Sequence, residues 1–88
     1  MKAKSLLKER RSVTLSSFME MVVWQVAQPV KGSLHGFKYS LAYVVDEVCV
    51  LRYDNEAGKG DHKHLDKNEV PYEFTTATQL VNDFFTGY

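Results

Sequence analysis

Apolar residues in this chain recur mostly at every second position, the period of a strand with one buried face, until a last segment where they take helical spacing. Phe18 to Val26 is rich in β-branched and aromatic side chains and predicts a strand, with Phe18, Val22, Trp24 and Val26 sharing one parity. Pro29 ends it, and the span from Gly32 to Gly36 reads as a loop. Phe37 to Val45 alternates cleanly, with Phe37, Tyr39, Leu41, Tyr43 and Val45 on one face. Val48 to Tyr53 follows after Asp46-Glu47 alone, which predicts a tight antiparallel hairpin whose turn lacks the usual glycine. A regular hairpin pairs Val45 with Val48, Tyr43 with Val50 and Leu41 with Arg52. Arg52 then closes an apolar face, where an anion must meet it.

Lys4 to Arg10 reads as a first strand. Pro71-Tyr72-Glu73-Phe74 reads as a short edge strand, since proline is tolerated at a strand start. Thr76 and Gln79 have the spacing of a helix-capping box, Leu80, Val81, Phe84 and Phe85 form the apolar stripe behind it, and Gly87 stops the helix. The expected architecture is one α+β domain over residues 1–88: a curled antiparallel sheet of four to five strands with a C-terminal helix packed on one face.

With 88 residues, 44% hydrophobic and 25% charged, the chain has the composition of one small soluble domain. Its formal net charge is zero, so no global field draws it to nucleic acid or membrane. The basic run from Lys2 to Arg11 reads as a solvated terminus. Cys49 stands alone, which excludes a disulfide framework, favours a reducing compartment, and reads as a small buried hydrophobe. No apolar run reaches the ~18 residues of a membrane span, and the first lysines lead into no signal-like apolar region. A cytoplasmic protein without membrane contact is expected.

Chemistry concentrates in the segment Arg52 to His64. It holds three acidic residues, three basic ones, two histidines and two glycines between apolar regions. Three readings compete. In the first, His62 and His64 act as general acid and base on a phosphodiester, since imidazole both gives and takes protons near neutral pH. An extended His62-Lys63-His64 points both rings the same way. Asp61 or Glu56 orients an imidazole, Arg52, Lys59 and Lys63 hold phosphate, and Tyr53, Asp54, Asn55, Gly58 and Gly60 shape the loop. In the second, Asp54, Glu56, Asp61, His62 and His64 bind a divalent ion, although their spacing matches neither an EF-hand nor another standard metal motif. In the third, the segment is a solvated or partner-binding loop. The first reading, with no metal and no cofactor, is the one carried forward. His35 reads as a loop or core-edge histidine.

The strings Phe37-Lys38-Tyr39, Leu51 to Glu56, Gly58 to His64, Pro71-Tyr72, Phe74 and Asp83-Phe84 together resemble the TumE family, small bacterial toxins of toxin–antitoxin systems. The resemblance runs from Trp24 to Phe85, and the family's usual hairpin glycine is replaced around Asp46-Glu47. It implies a cognate antitoxin, often a helix-turn-helix protein. By analogy with other small toxins, RNA is the expected substrate and a metal-independent ribonuclease the expected activity. The other reading is a non-catalytic binding module that complexes an antitoxin-like partner. A homodimer is left open.

Overall fold

Six strands pair in chain order into one antiparallel meander among the described residues of the structure, a computed structural model that describes residues 3–55 and 58–86. They are β1 (Lys4–Thr14), β2 (Ser17–Gln25), β3 (Phe37–Val45), β4 (Val48–Asp54), β5 (His62–Leu65) and β6 (Asn68–Pro71), followed by helix α1 (Ala77–Phe85). The α+β class is as expected, but the sheet has six strands and not four to five. The extra strand is His62–Leu65, read above as part of a loop. It turns back through Asp66-Lys67, with Asp66 at φ 56°, to pair with Asn68–Pro71. Pro71 therefore closes an edge strand where it was expected to open one.

The first strand runs on to Thr14, and its outer edge carries Lys4, Lys8, Glu9, Arg10 and Arg11. Charges of this kind on an edge discourage pairing with another chain. Register shifts near Leu6 and Val13 bend the strand further.

One face of the sheet is the core. Met21, Val23, Tyr39, Leu41, Leu51 and Tyr53 meet Leu80 and Phe84 of α1 there. Burying each such side chain contributes about 1.5–3 kcal/mol. Two expectations of facing are corrected. In β2 the core residues are Met21 and Val23, paired with Leu41 and Tyr39, while Phe18, Val22 and Trp24 lie half-buried on the opposite face. Both parities of this strand are apolar, so only the position of α1 decides between them.

The second correction concerns the hairpin. Val45 pairs with Val48 as expected, but Tyr43 pairs with Leu51 while Val44 pairs with Cys49, leaving Val50 as the extra residue of a β-bulge. Everything after Val50 changes face. Leu51 and Tyr53 turn into the core, and Arg52 turns out to solvent opposite Ala42. Losing one ladder position costs less than burying a guanidinium against Leu41. Cys49 is exposed, contrary to its expected burial. At the turn, Asp46 and Glu47 both take positive φ, 50° and 67°, which a glycine at the second position would relieve.

The helix start is as read: Thr76 Oγ1 accepts from the backbone N–H of Gln79 at 3.0 Å. Gly87, expected as its stop, lies outside the described residues, and Thr86 is the observed cap. Tyr72 donates its hydroxyl to Asp83 Oδ2 at 2.5 Å and meets Tyr53 edge-on, which ties the segment before α1 to the core. Among the described residues no helix is long and apolar enough to cross a membrane.

Candidate functional site

Alternation along two neighbouring strands assembles the site. Asp54 of β4 pairs with His62 of β5, and Arg52 pairs with His64. The next rung continues into β6, where His64 faces Glu69. Because Tyr53 and its partner Lys63 face α1, the residues on either side of them face away from it. Arg52, Asp54, His62, His64 and Glu69 thus share the sheet face that the helix leaves open.

His62 is 5% exposed. Its Nδ1 lies 3.0 Å from the carbonyl oxygen of Gly60, and a carbonyl only accepts, so the proton sits on Nδ1. Nε2 then faces two carboxylates, 2.6 Å from Asp54 Oδ1 and 3.6 Å from Glu69 Oε2. His64 Nε2 lies 2.8 Å from the same Glu69 oxygen. The two imidazole centroids are 4.8 Å apart with planes at 70°. Asp54 Oδ1 is buried and makes no hydrogen bond, so its short contact with His62 is not an aligned N–H donation.

The loop before β5 is held by backbone contact and by one asparagine. Gly60, at φ 77°, sits so close to Gly32 that a Cβ on it would come within 2.8 Å of the Gly32 carbonyl oxygen. The Gly58 N–H donates to the Lys31 carbonyl at 2.7 Å. Asn55 is fully buried: its Oδ1 accepts from the Tyr39 N–H at 2.9 Å, and its Nδ2 donates to the Phe37 carbonyl at 2.6 Å. The chain entering the site is therefore fastened to the start of β3.

Asp61 is engaged elsewhere than expected. Its Oδ1 accepts from the Tyr39 hydroxyl at 2.7 Å and lies 2.7 Å from His35 Nε2. His35 Nδ1 accepts from the Phe37 N–H, which puts the ring proton on Nε2 for donation to Asp61. The His35 ring stacks on Phe74 with centroids 3.7 Å apart. Burial, then the hydrogen bond to Asp61, pushes the Tyr39 phenol far above its ordinary range. The carboxylates beside His62 and His64 are Asp54 and Glu69, not Asp61, and Glu56 lies outside the described residues.

The cations divide between the two faces. Arg52 is exposed, with Nε 3.9 Å from Asp54 Oδ2, and joins Lys38, Tyr39, Ser40 and Asp54 around a recess of about 180 Å³. Lys59 Nζ is 4.0 Å from Glu69 Oε2, beside a second recess of about 230 Å³ that His62 also lines. Lys63 does not join them. Strand alternation puts it on the helix side, 5.9 Å from the Tyr53 ring. Sequence reasoning missed Glu69 and Lys38. Glu69 was legible in principle, because HKHL and NEVP around Asp66-Lys67 can be read as a hairpin with His64 opposite Glu69.

Asp54, His62 and His64 place three potential metal-ligand atoms within 4.8 Å of one another. A family model described as Toxin TumE matches residues 3–87. No curated protein and no solved structure matches the chain.

Proposed function

Because the chain belongs to the TumE toxin family, and so to a toxin–antitoxin system, we propose that it acts on RNA, cleaving the phosphodiester at the His62–His64 pair. The observation that carries this reading is two imidazoles 4.8 Å apart on an open sheet face, each against a carboxylate. In the cleavage step the ribose 2′-oxygen bonds to phosphorus as the bond from phosphorus to the 5′-oxygen breaks. One imidazole takes the 2′ proton and the other gives a proton to the leaving oxygen. Such acid–base transfer contributes typically ~10²–10⁴-fold. Arg52, Lys59 and Lys38 stand at the rim, where they meet the negative phosphate oxygens. Asp54 and Glu69 stand beside the rings to orient them, where Asp61 was expected.

The antitoxin would be a helix-turn-helix protein encoded beside this chain, and both would act in the cytoplasm. The test of the activity is His64→Ala, the half-buried histidine, assayed for RNA cleavage and growth arrest together. Loss of both with an unchanged thermal melt supports the proposal, and arrest that survives defeats it. The burial of His62 favours one other reading, in which that ring is structural and the face binds its target without cleaving. Arrest without any RNA cleavage by the unaltered chain would select it.

A further inference from the structure

We propose that Asp54, His62 and His64 form a binding site for a divalent transition ion of the zinc class, with Glu69 as the adjoining fourth group. Three observations converge. Asp54 Oδ1 is a buried carboxylate oxygen without a hydrogen bond. Such an atom is costly unless something positive meets it. His62, whose side chain is 7% exposed, commits its Nδ1 proton to the Gly60 carbonyl. That is the arrangement in which metal-binding histidines are usually held, the outer nitrogen donating to a backbone oxygen.

With Nδ1 so committed, Nε2 is turned toward Asp54 Oδ1, 2.6 Å away, with Glu69 Oε2 at 3.6 Å. A positive charge among these atoms is what holds such a group together. The third observation is that His64 Nε2 reaches the same Glu69 oxygen at 2.8 Å, which brings a second imidazole to the cluster. The ligand atoms of the three proposed ligands lie within 4.8 Å of one another, a spread that rotation of the half-buried His64 ring can close. The donors sit on alternate rungs of β4 and β5, on one face, so the sheet holds them in place before an ion arrives. Two nitrogens with carboxylate oxygens suit zinc, cobalt, nickel or manganese better than magnesium or calcium.

The ion takes the same Nε2 lone pairs that proton transfer needs. Resting on the reading above, its binding therefore silences cleavage. The test uses the full chain stripped with chelator, titrated calorimetrically with Zn²⁺ alone and spectroscopically with Co²⁺. One equivalent should bind, with visible cobalt bands that shift with nitrogen ligation. Asp54→Asn and His64→Ala should each weaken binding by more than about tenfold, while Lys8→Ala on the far edge strand should not. Circular dichroism confirms that each variant is folded. Absence of binding up to near-millimolar ion, or binding undiminished in both variants, overturns the site. If the ion binds and cleavage requires it, the site stands and the acid–base reading falls. If the ion binds and no RNA is cut with or without it, the site stands and the ribonuclease reading falls.

Discussion

Two histidine–carboxylate clusters, one around Asp61 and one around Asp54, are built on opposite principles. Around Asp61 the polar atoms are matched: Tyr39 and His35 both donate to one oxygen, and His35 accepts a backbone N–H on its other nitrogen. Around Asp54 they are not: a buried oxygen, Oδ1, is left without a hydrogen bond 2.6 Å from His62 Nε2. A matched network is what a fold uses to fix a loop, whereas a mismatched one waits for a proton, an ion or a substrate. The difference separates scaffold from site within a few residues of chain.

That contrast can be broken most decisively at its two ends. His64→Ala should lower RNA cleavage by about a hundredfold or more while its melting temperature stays close to that of the parent, measured in one cleavage assay and one thermal melt. Asp61→Ala should do the reverse, destabilising the protein by about 2–3 kcal/mol in urea titration, because one buried and one half-buried donor lose their acceptor. Asp54→Asn is the sharper comparison. Its effect on stability should stay within about 1 kcal/mol, since no hydrogen bond to Oδ1 is lost. A cost as large as that of Asp61→Ala would show that the clusters do not differ.

Glu47→Gly lies outside both clusters and calibrates the scale. Relieving the positive φ should stabilise the hairpin by about 1 kcal/mol without altering cleavage. The smallest effect is expected at Asp83, a carboxylate held below its ordinary range by the Tyr72 hydroxyl and then by Gln79. A folded-state value lowered in this way stabilises the fold above about pH 4 and is lost on further acidification. Tyr72→Phe should therefore be slightly less stable at neutral pH and lose less stability between pH 5 and pH 3, as melts across that range would show.

The strands from Phe37 to Tyr53 and the capped helix were legible because alternation and the Thr76–Gln79 spacing are local signals. The inward face of β2 was not, since Met21 and Val23 compete with Val22 and Trp24 and no local rule favours either pair. The bulge at Val50 was hidden for a related reason: it answers to what packs below the sheet and not to the turn. Of the candidate site, the pairing of His62 with His64 followed from parity once the segment was taken as extended. Lys63 fell away by that same parity. The attachment of Asp61 to His35 spans twenty-six positions and depends on how two loops meet, which spacing along a chain does not encode.

A lone inserted valine has a consequence for how this surface can vary through descent. Because Val50 is the one residue of β4 with no partner on β3, deleting it would leave Leu51 opposite Tyr43 and Arg52 opposite Ala42. One more residue taken into the ladder would instead turn Arg52 and Asp54 inward and expose Leu51 and Tyr53. Loss of one residue between the Asp46 turn and Arg52 should then be tolerated better than gain of one. Scanning such changes for toxicity would show activity kept after the single deletion and lost after the single insertion, as in a ratchet that turns one way.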